Sequence, residues 1–340
     1  MENSQVVLRA RPKGMVDDSV TELVSSSRPL CGVDEALIRV GILSIDPTIR
    51  TWMDDAPGYL PPIEVGGVIR SSGAGVVVES RSERYKVGDI VVGLTGWQEW
   101  CIASRSNVFS VLPSGMGLDL PTVMNVLGST GLTAYFGLLE VGSFSAGDVV
   151  VVSGAAGATG SIVGQIAKAR GAKRVVGIAG GPEKCREVVE QYGFDECLDY
   201  REPKLSRRLR AACPDGVDLY FDNVGGEILD DVLLSLAMNG RVVLCGAISQ
   251  YNSQEIVGLK NTFMLIMRRG RMQGFIIFDF AARFAEAQIA LAQLVLSGEV
   301  VHHEHLVKGL AAAPSALNLL FTGGNHGKTL VVVDDTVVLQ

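Results

Sequence analysis

Three sets of residues in this 340-residue sequence are spaced to do chemistry. The first is a glycine triplet, Gly154, Gly157 and Gly160, within "VVVVSGAAGATGSIVGQIAKARG" (149–171). Four valines and Ser153 precede it, and Ile162, Val163, Ile166 and Ala167 follow at helical spacing. A strand, a tight turn and a helix start in that order put backbone amides of Gly157, Ala158, Thr159 and Gly160 where a phosphate can approach them. A turn that merely packs a helix against a strand would use the same glycines. The second set is "VVGIAGGPEKC", in which Lys184 follows two glycines. The third comprises "YFDNVGG" and "VVLCGAISQYN". These offer Asn223, the run Cys245, Gly246, Ala247, Ile248 and Ser249, and the phenol of Tyr251.

The elements that must position these residues are legible as an alternation. Strand candidates fall at 149–153, 174–179, 196–200, 217–221, 241–245 and 273–278, with helical patterns between most of them and a closing helical segment at 281–297. Pro182 suits the first turn of one such helix. Six strands alternating with helices predict an α/β fold with a doubly wound, parallel Rossmann sheet. Ligands of such sheets bind outside the carboxyl ends of the strands, which is where all three sets lie. A site for NAD usually ends its second strand in Asp or Glu; here Ala179, Gly180 and Gly181 stand there, then Lys184. A 2′-phosphate meets a cation and no acid, so the pattern predicts NADPH over NADH. Glu183, in a first helical turn, serves the helix dipole. Each residue also has a plainer reading: Lys184 as a solvated helix charge, Asn223 as a turn former, Tyr251 as a surface aromatic.

Residues 1 to about 120 are different in character, with short apolar segments divided by Gly, Pro and Asp turns, and the tail from 299 to 340 returns to short strands. The expected division is therefore 1–120 with 299–340, and 121–298. Composition narrows the function classes. Hydrophobic residues make up 47% and the formal charge is −7, with no Lys/Arg-rich run. That argues against nucleic acid and anionic membranes as main partners and predicts a folded protein; the lack of a signal-like apolar core near residue 1 and of a run long enough to span a membrane predicts a cytoplasmic one. Six scattered cysteines without a CxxC pair predict free thiols. All four histidines lie late in the sequence; in "VHHEH" His302 and His305 stand three apart beside Glu304, and on a strand His303 and His305 would share one face, but a third ligand is not evident there, so no metal site is predicted.

At the level of whole motifs the sequence resembles the zinc-independent branch of the medium-chain dehydrogenase/reductase superfamily, which holds prostaglandin reductases, curcumin reductase and plant alkenal double-bond reductases. The resemblance lies in "DPTIR" (46–50), "GLTAYFGLLEVG" (131–142), "GAAGATGSIVGQIAKARGA" (154–172), "GIAGGPEKC" (177–185), "GFDECLDY" (193–200), "DLYFDNVGGEILD" (218–230), "CGAISQYN" (245–252) and "GNHGKT" (324–329). It implies a β-rich, GroES-like N-terminal domain completed by the C-terminal tail, and a homodimer. It implies that Gly157 to Gly160 hold the pyrophosphate, that Lys184 meets the 2′-phosphate, and that Tyr200 lies near the adenosine end. Asn223, Cys245 to Tyr251, the segment Phe275, Ile276 and Ile277, and Asn325 would complete the cofactor site. The implied activity is NADPH-dependent reduction of the carbon–carbon double bond of an enone or enal; without zinc the carbonyl needs a hydrogen-bond donor, for which Tyr251 and a cofactor ribose hydroxyl are the candidates. Quinone reduction, secondary-alcohol oxidation and non-catalytic cofactor binding are the rival readings. One departure stands out. The branch reads "DPY-M-R" where this chain has Asp46-Pro47-Thr48-Ile49-Arg50, so Thr48 takes the place of a tyrosine that can border the substrate pocket.

Overall fold

The computed structural model describes residues 2–113, 115, 117–253, 255 and 257–338. The chain divides into two compact units: residues 1–124 with 304–340, and residues 125–303.

The second unit is built on six parallel strands: β1 (Val149–Ser153), β2 (Arg174–Ala179), β3 (Glu196–Asp199), β4 (Val217–Asp222), β5 (Leu236–Leu244) and β6 (Arg271–Gly274). Their order in the sheet is β3-β2-β1-β4-β5-β6, and every pairing is parallel. This is the doubly wound order, with the reversal between β1 and β4. β1 lies in the middle, and all five of its residues are buried. A central parallel strand is covered on both faces, which is why its sequence is an unbroken valine run rather than an alternation. Helix α1 (Ala158–Ala169) follows it and buries Ile162, Val163, Ile166 and Ala167, as their spacing predicts. Helices α2 (Pro182–Glu190), α3 (Leu205–Ala212), α4 (Gly226–Leu233), α5 (Phe263–Arg268) and α6 (Phe284–Leu296) complete the alternation.

Two strand boundaries differ from expectation. β5 begins at Leu236, not Arg241, and runs through Asn239, which adopts a left-handed φ of 61°. The register against β4 shifts between Val217 and Leu219 to absorb the irregularity. β6 ends at Gly274, so Phe275, Ile276 and Ile277 lie beyond it, and a 3₁₀ helix runs from Ile277 to Arg283. The apolar run "FIIF" has strand propensity, but aromatic packing takes precedence. Phe280 stacks on Phe136 at 4.7 Å between ring centroids, and Phe275 meets Phe280 edge-on.

The first unit holds a seven-stranded sheet centred on Ala36–Ser44, a strand whose residues are nearly all buried. Ser72–Ser80 and Trp100–Ala103 pair with it antiparallel, as does Lys328–Val332 from the far end of the chain. A separate two-stranded sheet joins Glu2–Leu8 to Thr21–Ser27. No described helix is long and apolar enough to cross a membrane.

Candidate cofactor and substrate site

The carboxyl edge of the parallel sheet begins at the glycine turn. Gly154 has φ 60°, in the left-handed region that glycine tolerates without a Cβ penalty. Gly157 is the extended N-cap of α1 and supplies no side-chain cap. A Cβ on Gly160 would stand 2.3 Å from the Gly154 carbonyl oxygen, so the helix packs directly on the strand end. The first-turn amides of a helix have no internal partner, and here no side chain caps them. Ala158, Thr159 and Gly160 therefore present N–H groups at the positive end of a 12-residue helix.

Asp222, the last residue of β4, organises the crevice beside this turn. It is fully buried. Its Oδ1 accepts from Ser153 Oγ at 2.9 Å, from the Tyr220 hydroxyl at 2.7 Å and from Val224 N–H at 3.1 Å. Gly225 N–H reaches both carboxylate oxygens at 3.1 Å. Burial raises the carboxyl pKa, and these donors oppose that rise. The Asp222 backbone carbonyl accepts from the N–H groups of Cys245 and Gly246 at 2.9 and 3.1 Å, which ties the loop after β5 to the loop after β4. Asn223 donates its side-chain amide to the Ser153 carbonyl at 2.7 Å, so it joins the ends of β4 and β1. Ser249 donates its hydroxyl to the Val224 carbonyl at 2.6 Å, and Ile248 N–H reaches the Asn223 carbonyl. Burial pushes the Cys245 thiol up to about 12, so it is no thiolate at neutral pH.

The Tyr251 hydroxyl oxygen accepts from Ala247 N–H at 3.1 Å. It helps line a cavity of about 420 Å³ together with Asp222, Cys245, Gly246, Ala247 and Gln250. An oxygen that accepts an N–H makes its own O–H a stronger donor.

A second cluster lies at the ends of β2 and β3. Tyr200 stands against Gly180, whose missing Cβ would lie 2.9 Å from the phenol ring. Lys184 is half-buried in the first half of α2, and desolvation lowers its pKa. The structure thus gathers Gly157 to Gly160, Asn223, Cys245 to Ser249 and Tyr251 at one sheet edge, with Lys184 and Tyr200 at the β2–β3 end. Phe275 follows β6, its ring tip next to Gly137.

Thr48 and Asn325 belong to the other unit. Thr48 opens a five-residue helix, Thr48–Trp52, and shares a 2.7 Å hydrogen bond with the Tyr59 hydroxyl. Asn325 donates to the Gly327 carbonyl at 3.2 Å. His305 lies in the strand Glu304–Lys308, whereas His303 precedes it and bonds to the Tyr192 hydroxyl at 3.1 Å, so the two do not share a strand face. Among the described residues no group of three or more His, Cys, Asp or Glu could hold a metal ion.

Sequence reasoning missed Asp222, Ser153, Asp199, Arg201 and Tyr59. The signal for the first two was present: a polar residue closes each of two strands at the carboxyl edge, after an all-valine run in β1 and after "LYF" in β4.

Residues 4–111 match the N-terminal domain of oxidoreductase, and residues 158–293 match the zinc-binding dehydrogenase model. The chain is 38% identical to the NADPH-dependent curcumin reductase of Escherichia coli, over 97% of each chain. It belongs to the medium-chain dehydrogenase/reductase superfamily. Within that superfamily it is also 38% identical, over 98% of both chains, to the NADP⁺-dependent 2-alkenal reductase of Nicotiana tabacum. The crystal structure of CurA in complex with NADPH from Vibrio vulnificus superposes with a TM-score of 0.91 at 37% identity, covering 98% of this chain and 99% of that one. The medium-chain reductase fold thus extends over both units, each with the secondary structure described above.

Proposed function

We propose that this medium-chain reductase uses NADPH to reduce the carbon–carbon double bond of α,β-unsaturated ketones or aldehydes, without zinc. The observation that carries the reading is the carboxyl edge of its parallel sheet. An uncapped helix start lies beside a loop that projects a phenol into a cavity, and the chain's relatives are reductases of this kind.

The residues present fit the cofactor. Gly157 to Gly160 offer amides and no side chain at the pyrophosphate position, and a Cβ at Gly160 has no room. Lys184 meets the 2′-phosphate, and Ala179, Gly180 and Gly181 leave it unopposed by an acid at the end of β2. Tyr200 and the loop from Cys245 to Ser249 line the rest, with Phe275, Ile276, Ile277 and Asn325 assigned by family resemblance. Bound NADPH supplies a hydride for the β-carbon of the substrate.

Charge then builds on the substrate carbonyl oxygen and needs a donor where no Lewis acid is at hand. Tyr251 supplies it, as a neutral phenol whose oxygen already accepts from Ala247 N–H. The α-carbon takes its proton from Tyr251 or from water. The Asp222 network holds the two loops, so that Tyr251 does not need to be ordered at the moment of reaction. Thr48 borders the substrate, hydrogen-bonded to Tyr59.

The proposal includes a homodimer. β6 is an edge strand, and next to it in sequence α5 exposes Phe263, Ile266 and Met267, apolar groups that a second copy can cover.

One steady-state screen tests the reading: enones, enals, quinones and secondary alcohols, each with NADPH and NADH. Cofactor oxidation led by enones or enals with NADPH is the expected result. Faster turnover of quinones would assign the same fold to a different acceptor, and no turnover with any of them would leave only a binding role.

A further inference from the structure

The β2–β3 end of the sheet carries two cations, and the sequence pattern singled out only Lys184. Arg201 is the other. Its backbone N–H donates to Asp199 Oδ1 at 2.9 Å, and the same oxygen accepts from Gly181 N–H at 2.9 Å. One carboxylate oxygen thus clamps the residue after Tyr200 to the turn between β2 and α2. Gly181 holds φ at 95°, a conformation that side chains rarely adopt. The Arg201 guanidinium takes the room beside it, with Nη1 only 3.3 Å from where a Gly181 Cβ would stand.

Lys184 feels this neighbour. Burial is the main force lowering its pKa; Arg201 acts in the same direction and Glu187 opposes. Glu187 bonds instead to the Tyr192 hydroxyl at 2.9 Å. Among the described residues neither cation has a carboxylate ion-pair partner. Two like charges, one of them half-buried, repel each other even with Glu187 acting on Lys184. A dianion between them removes the repulsion and gains charge-assisted hydrogen bonds to both.

We propose that Arg201 is a second determinant of the 2′-phosphate, so that Lys184 and Arg201 together set the preference for NADPH over NADH. The inference rests on the NADPH reading above.

The test is calorimetric and uses the full chain with 2′,5′-ADP and 5′-AMP as probes, which differ only in the phosphate at issue. The unaltered protein should favour 2′,5′-ADP by roughly a hundredfold, since each cation contributes a charge-assisted bond worth about tenfold. Arg201→Ala should weaken 2′,5′-ADP by roughly tenfold and 5′-AMP by less than about twofold. Arg201→Lys should recover part of the loss, because the charge remains and the planar fork does not. Without ligand, Arg201→Ala should unfold at the same temperature or a slightly higher one, since a repulsive neighbour has gone. A clear fall in that midpoint, or equal losses for the two probes, would assign Arg201 to the structure and overturn the proposal. Retained preference in Arg201→Ala alongside lost preference in Lys184→Ala would overturn it as well. If the unaltered protein does not distinguish the probes, the NADPH reading itself fails.

Discussion

Two polar clusters in this protein are set in apolar surroundings, and they are assembled by opposite means. At the carboxyl edge of the parallel sheet, the buried Asp222 carboxylate draws on the N–H groups of Val224 and Gly225 and the hydroxyls of Ser153 and Tyr220. Most partners are backbone or lie at strand ends that the sheet already brings together. In the first unit, Lys328 is 2% exposed and donates to Asp46 and to the Ile45 carbonyl, 282 or more positions away in sequence. Ser44 donates to the same carboxylate at 2.5 Å. Close by in sequence, buried Arg50 donates to the Gly14 carbonyl at 2.8 Å and to Asp54 at 2.7 Å. The first cluster neutralises a charge with dipoles; the second pairs charge with charge. A site built from backbone dipoles is sensitive to any added Cβ, whereas an ion pair is sensitive to the loss of one partner.

The largest expected effect tests the backbone site. Gly160→Ala puts a Cβ 2.3 Å from the Gly154 carbonyl, and backbone rather than a flexible side chain has to move. Stability should fall by about 2–3 kcal/mol in urea titration. NADPH affinity should fall by roughly a hundredfold or more, because the amides of α1 lose their alignment. Normal binding in this variant would show that the turn only packs.

The ion pair is tested by Lys328→Met, which preserves the apolar stem and leaves Asp46 without its cation. We expect a loss of about 2 kcal/mol, since breaking the pair strands a charge that is only partly exposed to water. Adding Asp46→Asn should restore part of that stability. A single variant as stable as the parent would mean that water already solvates Asp46.

A smaller effect comes from Tyr251→Phe, which removes one hydroxyl and leaves Ala247 N–H without its acceptor. The kcat for enone reduction should drop by roughly 10-fold to 100-fold, while the NADPH dissociation constant moves by less than about threefold. An unchanged kcat with weakened cofactor binding would make Tyr251 a packing residue and send the search for the donor elsewhere.

The smallest expected effect is none. Exhaustive chelation should leave activity intact, and elemental analysis should find no stoichiometric zinc. Activity that vanishes with chelator and returns with zinc would contradict the donor role given to Tyr251.

The two clusters also differ in how far they could be read in advance. The glycine turn and β1 announced themselves, because a strand, a left-handed glycine and a helix start are all encoded within about a dozen neighbouring residues. Lys184 was legible for the same reason. Arg201 was not, because its relation to Gly181 runs through Asp199, which sits at the end of the adjacent parallel strand. The segment Phe275 to Ile277 was misread as part of a strand. Its local propensity favours a strand, but Phe275 packs on Phe280, whose own stacking on Phe136 is tertiary. Thr48 was noted as a departure from the family motif. Its contact with Tyr59, from the loop after its own helix, appeared only in the folded unit.

By itself, the sequence determined the six-strand alternation, the glycine turn between β1 and α1, and the lack of an acid at the end of β2. Each depends on side-chain periodicity or on a residue type that a local backbone conformation requires. Only the tertiary structure decided which acid neutralises which donors. It paired Lys328 with Asp46, set Asp222 against four donors, and brought Arg201 near enough to Lys184 to act on its charge. Electrostatic partnership depends on distance and burial, and neither is a function of position along the chain.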